Sequence, residues 1–345
     1  MSSSETSRPG LVARIDAFQQ RHRVVGMPIA VVYKYVDDGG PNLAALITYF
    51  AFVSLFPLLL LASTILGFFL AGDGDLQRRI LDSALTQLPV VGDDLQRPDG
   101  IGGGVAGLVI GLLGALYGAM GVGQAVQNAC NTAWTVPRNE RGNPFVLRGR
   151  SVVLLGVIGI DVIGTTALAG VIGAATVLGP LSSVALLVGT LAIHAAAFAF
   201  VFRFATARDL SWGQVLPGAC VAALAWLALQ YVGVAYVGRT TATSSATNGV
   251  FAVVLGLLAF LYLTCVVLAL CLELNVVLVD HLHPRTLLTP FTDNVVLTDG
   301  DKRSYTDLAK AQQQKGFQTV DVDFAPSPLE EREERGERGE RGQHP

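Results

Sequence analysis

The sequence predicts an all-α integral membrane protein, a six-transmembrane-helix bundle with N- and C-termini cytoplasmic. Three observations carry this. Of 345 residues, 51% are hydrophobic and only 15% charged, where a soluble domain carries about 25% charged residues. Those charges crowd into the two ends and a few short loops. Between them lie six apolar segments, near residues 43–70, 103–130, 151–178, 181–203, 213–237 and 248–280. Each reaches the roughly 20 residues needed to cross a hydrocarbon core, and the longest require tilt, kinks or extension beyond the bilayer.

Orientation follows from Lys and Arg, which accumulate on the cytoplasmic side. With the N-terminus inside, 20 of the 24 fall on inner segments and 4 on outer ones, Arg78, Arg79, Arg97 and Arg239. Without the tail from residue 281 the balance is still 11 to 4. A net charge of −3 offers no basic field for nucleic acid. Residues 1–25 are rich in Arg and lack the apolar core of a cleaved signal peptide, so the first span is expected to serve as an uncleaved signal-anchor.

The organisation expected is a cytoplasmic amphipathic segment over 1–40, a membrane domain over 41–281 and a polar cytoplasmic tail over 282–345. In the first, LVARIDAFQQRHRVV sets Leu11, Ile15 and Phe18 on one face and Arg14, Arg21 and Arg23 elsewhere. Such a helix either lies on anionic lipid or caps the bundle. MPIAVVYKYV follows, with Pro28 suited to a first helical turn. Glycine with alternating charge ends the chain in EEREERGERGERGQHP, so disorder is expected after about residue 320.

The first span, NLAALITYFAFVSLFPLLLL, carries Asn42, Thr48, Tyr49 and Ser54 and breaks its hydrogen-bond ladder at Pro57. Pro57 cannot donate to the Val53 carbonyl, so a kink is expected near residues 53–57, buried among other helices. Ala44, Thr48, Ala51 and Ser54 form a small face beside a larger stripe of Asn42, Ala45, Tyr49, Phe52 and Phe56. In the second span Gly103, Gly107, Gly111, Gly114, Gly118 and Gly121 keep one helix face free of side chains, as close helix contact in membranes requires. The small face of the first span is the natural partner. Gln124, Asn128 and Asn131 continue the seam and either line a polar cavity or bond one another. Between the first two spans, residues 71–102 form an outer loop whose segment DLQRRILDSALTQL has helical periodicity.

Ionisable groups at depth are costly and seldom persist without a partner or a task. Asp161 stands near the middle of the third span and His194 as deep in the fourth. The short turn at Gly179-Pro180 makes these helices antiparallel neighbours. An Asp161–His194 pair fits that geometry, either as a proton or substrate gate or as a neutral histidine with Asp161 bonded to Thr165. Near the end of the last span, Glu273 and Asn275 suggest either a polar vestibule shared with Gln124, Asn128 and Arg203 or a structural Glu273–Arg203 ion pair. RTTATSSATNG, over 239–249, reads as a hydroxyl-rich turn before the last span.

No nucleotide-binding loop, metalloprotease motif, nucleophile elbow or C-x-x-C occurs. His281 and His283 flank one residue, and the four cysteines read as small buried hydrophobes. No catalytic residue, metal or cofactor is expected.

The order of several motifs resembles the YihY/virulence factor BrkB family. Tyr49, Ser54, Leu55 and Pro57 match its first-span hallmark. Leu216-Pro217-Gly218-Ala219 opens the fifth span, YVGVAYV precedes the outer turn, and Glu273-Leu274-Asn275 closes the last. The likeness covers roughly residues 25–285. Cys271-Leu272 stands where the family has Gly-Ala, and Phe260 or Tyr262 where it has Trp. The resemblance implies a bacterial inner-membrane protein of six spans, both termini inside, in a family loosely linked to envelope function and once mislabelled a tRNA-processing ribonuclease. Membrane lipids are the implied surroundings. A transporter or flippase-like role for an envelope-related solute or lipid is the first expectation. Its pathway would use Asp161, His194, Glu273, Asn275, Gln124, Asn128, Tyr49 and Ser54. A non-transporting scaffold is the second. Transport predicts a cavity reaching Asp161, and scaffolding a solid core with Asp161 satisfied.

Overall fold

A computed structural model describes residues 11–69, 104–174, 181–243 and 246–331. The outer-loop helix expected within 71–102, Gly103, the Gly179-Pro180 turn and the glycine-rich end of the tail lie outside these residues. Every regular element among the described residues is helical: α1 Leu11–Arg21, α2 Arg23–Asp37, α3 Gly40–Phe69, α4 Gly104–Ala133, α5 Pro144–Ala174, α6 Leu181–Ala205, α7 Trp212–Thr243, α8 Ala246–Val279 and α9 Asp299–Lys310, with one 3₁₀ turn at Arg138–Glu140.

The six long helices α3–α8 coincide with the six apolar segments. Among the described residues, four are long and apolar enough to cross a membrane, over Pro144–Val171, Ser182–Ala205, Trp212–Gly233 and Val254–Val279. Only residues 244 and 245 separate α7 from α8, so most of the hydroxyl-rich stretch at 239–249 is helix, not turn.

The chain forms two compact units. One comprises Gly40–Asn131 and Gly142–Leu272. Within it α5 packs on α6 and α6 on α7. The close approach of α3 to α4 is set by glycine. A methyl group at Gly118 would overlap the Ser54 side chain and come within 2.6 Å of its Cα, one at Gly121 would overlap the Phe50 ring, and one at Gly114 would stand 2.8 Å from Pro57. Ala44, Thr48 and Ser54 are buried, whereas Asn42, Ala45 and Tyr49 are exposed. The small face is thus spent on helix contact. Ser54 donates to the Ala51 carbonyl at 2.8 Å and not to the Val53 carbonyl that Pro57 leaves free, and α3 continues through Pro57 to Phe69. Of the cysteines, Cys220 is exposed while the other three are buried.

This contact makes a direct prediction. Gly118→Ala should destabilise the chain by about 1–3 kcal/mol, the usual range for overpacking. The clash is with α3 backbone, so trimming Ser54 to glycine should not restore it. Gly156→Ala on α5 is the control, since a methyl there meets nothing within 4 Å and improves helix propensity. Unfolding in detergent should separate the two; equal midpoints would mean that the α3–α4 approach is not rigid.

The second unit comprises the chain up to Gly39, Thr132–Arg141 and everything from Glu273. This unit draws on both the N-terminal and the C-terminal parts of the chain. α1 turns into α2 at His22, and α2 begins at Arg23, which puts Pro28 inside the helix and not in its first turn. α9 starts on a capping box in which Thr298 accepts from the Asp301 amide and Asp301 from the Thr298 amide. The tail is thus folded through α9, a helix that its polarity concealed. No helix or strand forms over 318–327. Trp134, Leu282, Val276 and Val277 are buried in this unit.

Candidate functional site

Within the unit from Gly40 to Leu272, the pair expected between the third and fourth spans is formed. His194 Nδ1 on α6 lies 2.9 and 3.0 Å from the two carboxylate oxygens of Asp161 on α5. His194 is 3% exposed, and the Trp226 ring stands edge-on at 6.5 Å between centroids. Thr165 does not bond the Asp161 side chain as considered; its hydroxyl donates to the Asp161 backbone carbonyl at 2.9 Å. The carboxylate thus fixes the imidazole tautomer, leaving Nδ1 as the proton-bearing nitrogen when the ring is neutral.

The amides of α4 are arranged differently from the expectation. Gln124 is exposed and Asn128 half-buried. The buried amide is Gln127, which donates to the Gly123 and Leu147 carbonyls and to the Ser151 hydroxyl at 2.9–3.1 Å. Asn131 accepts from the Ala207 amide at 2.7 Å. Both residues bond the backbone and serve packing. Tyr49 is 59% exposed and stacks edge-on against Phe50, and Ser54 is buried against Gly118.

Arg203 does not pair with Glu273. Its Nε donates to the Leu210 carbonyl at 2.6 Å and its guanidinium lies 4.8 Å from the Trp212 ring centre.

In the other unit Glu273 finds a different cation. Lys34, on α2, is 1% exposed and binds Asp38 one turn further on, with Nζ also donating to the Ala133 carbonyl at 3.1 Å. Glu273 Oε2 lies 4.0 Å from the same Nζ. Ala133 ends α4, so the ammonium sits at the negative end of a helix, where a cation is favoured. Asp38 and Glu273 thus face the same ammonium, two carboxyl groups against one cation. Burial alone would pull the Lys34 ammonium down, but Glu273 and Asp38 outweigh it and hold the lysine above its ordinary range. Burial also pushes the Asp38 carboxyl up, and the pull of Lys34 does not undo it. Asn275, buried beside Glu273 in sequence, is closed to solvent as well. The C-terminal end of the last span therefore carries a buried ion cluster in place of the open vestibule expected.

A second buried charge holds the same unit. Arg285 is fully buried, donating through Nε to Asp301 at 2.5 Å and through Nη2 to Asp37 at 2.9 Å. Its backbone carbonyl accepts from Gln19 of α1 at 2.5 Å, and Asp16 accepts from the Leu287 amide at 3.0 Å. The polar side of α1 is thus docked, while Ile15 and Phe18 on its apolar side are 48% and 52% exposed. Lys34, Asp38 and Arg285 were not singled out as site residues. One signal was available: a lysine inside the apolar run IAVVYKYV needs a buried partner.

A chain whose described residues form only helices, several of them apolar and of membrane length, is a multi-pass membrane protein. The model of the family described as Virulence factor BrkB matches residues 31–291, and the chain belongs to that family. No curated protein and no solved structure matches it.

Proposed function

We propose that this protein is a transporter or flippase-like protein that moves an envelope-related lipid or solute across a bacterial cytoplasmic membrane, with six spans, both termini inside and no enzymatic activity. The observation that supports this most is the Asp161–His194 pair, an ionisable couple held within two apolar spans. Such couples are retained at a cost to insertion and mark ion or substrate pathways. The excess of Lys and Arg on one set of loops supports the orientation.

Asp161→Asn keeps an oxygen for His194 Nδ1 while removing the charge. In reconstituted vesicles it should slow translocation of a fluorescent phospholipid at least about tenfold, equivalent to about 1.4 kcal/mol. The membrane abundance of Asp161→Asn should be unchanged. A wild-type translocation rate in that variant would remove the pathway reading. The scaffold reading has its own support in the closed α3–α4 contact and in Asp161, both of whose carboxylate oxygens are met by His194. It expects no translocation by the wild-type chain.

A further inference from the structure

A cavity of about 180 Å³ opens where α5, α6 and α7 bring their ends together, lined by Arg150, Arg203, Arg208, Asp209, Phe204 and Trp212 among others. Arg150 comes from the first turns of α5, Arg203 from the last turn of α6 and Trp212 from the first residue of α7. These are the boundaries of three apolar spans, Pro144–Val171, Ser182–Ala205 and Trp212–Gly233. In a bilayer that level is occupied by lipid headgroups, and an exposed tryptophan at a span boundary belongs there. Trp212 is 52% exposed.

The charge is one-sided. Three guanidinium groups face one carboxylate, Asp209, leaving an excess of two positive charges. Two of the guanidinium groups are held over aromatic rings, Arg203 over Trp212 at 4.8 Å and Arg150 over Phe204 at 5.7 Å. Stacking fixes the plane of each while leaving its edge to donate, and Arg203 is further anchored through Nε to the Leu210 carbonyl. Guanidinium edges converging on a cavity of this size suit phosphate oxygens. Basic pockets between membrane helices bind anionic headgroups on the same physical grounds.

We propose that this cavity binds the phosphate of an anionic membrane phospholipid, with Arg150 and Arg203 as its principal donors. The site holds its lipid whether or not the chain moves it. The full chain in phosphatidylcholine nanodiscs, given brominated phosphatidylglycerol or brominated phosphatidylcholine, tests this through quenching of the Trp212 fluorescence with Trp134 and Trp226 replaced by Phe. Phosphatidylglycerol should quench at lower mole fraction than phosphatidylcholine. Arg150→Gln and Arg203→Gln should each weaken that preference about fivefold, and the pair more. Arg138→Gln, outside the cavity, should leave it intact. Equal quenching by the two lipids, or an unchanged preference in the double variant, overturns the site. Loss of phosphatidylglycerol quenching on adding inorganic phosphate at equal concentration overturns the lipid assignment in favour of a free anion.

Discussion

Lys34→Met should cost the folded protein about 3–5 kcal/mol, the range for removing one partner of a buried ion pair. Methionine matches the volume, so the loss is electrostatic. Without the ammonium, Asp38 and Glu273 are two buried carboxyl groups, 8% and 3% exposed, left at the carbonyl end of α4 without their cation. The defect should depend on pH in a definite direction. The Asp38 carboxyl already sits above its ordinary range because burial outweighs Lys34, and removing Lys34 takes away the largest opposing pull. A carboxyl that holds its proton more tightly when folded contributes stability below its unfolded pKa of 3.8 and loses it as pH rises through the raised value. The variant should therefore be more stable at pH 5 than at pH 8, and Asp38→Asn added to Lys34→Met should recover part of the loss at pH 8. The wild type should lose its Lys34 contribution only in strong base, as pH rises past 10.5 through the raised lysine value. Fluorescence of the buried Trp134, with Trp212 and Trp226 replaced by Phe, reports on this unit. A pH-independent defect would assign the cost to packing.

What could be read from the sequence followed the range of each signal. Period and spacing act within one helix, so the six long helices and the glycine seam were legible. The α3–α4 contact followed because Ser54, Pro57 and the glycines share one requirement, close backbone approach. The Asp161–His194 pair was legible because a turn of a few residues leaves two helices no option but to lie antiparallel. Glu273 was visible as a charge in an apolar run, but its cation was not. Lys34 lies 239 positions earlier in the chain, in a segment whose amphipathic pattern points to a surface. No local rule links them; the choice between Arg203 and Lys34 is made by how distant segments fold into one unit. Gln127 was missed for a geometric reason. Following the seam by steps of three and four leads to Gln124 and Asn128, whereas Gln127 lies on the neighbouring face, against Ser151. Helix α9 was hidden because its burial is polar: Asp301 and Ser304 are buried, with Asp301 held by hydrogen bonds and charge, and hydropathy scores both types as solvent-facing.

Arg285→Met should be as damaging as the loss of Lys34, at about 3–5 kcal/mol, for a different reason. Lys34 offsets two carboxyl groups, whereas the Arg285 guanidinium joins two helices. Its guanidinium bonds Asp37 at the end of α2 and Asp301 in the first turn of α9, and its centre lies 5.3 Å from the Tyr305 ring and 6.0 Å from Tyr33. Removing it leaves Asp301 buried, though Asp301 keeps the Thr286 amide at 3.0 Å and the Thr298 hydroxyl at 2.7 Å. α9 should therefore remain capped but come loose. Arg285→Lys separates geometry from charge. A lysine supplies one point of charge and cannot face both carboxylates in the fork that guanidinium offers, so it should restore less than half of the loss. Asp37→Asn should cost less than Asp301→Asn, because the Asp37 side chain is 15% exposed and the Asp301 side chain fully buried, and only Asp301 also closes the capping box. Limited proteolysis supplies the readout, with cleavage after Lys302 and Arg303 rising in Arg285→Met well before any cut in the membrane helices. Resistance equal to wild type would mean that α9 is held by contacts other than this arginine.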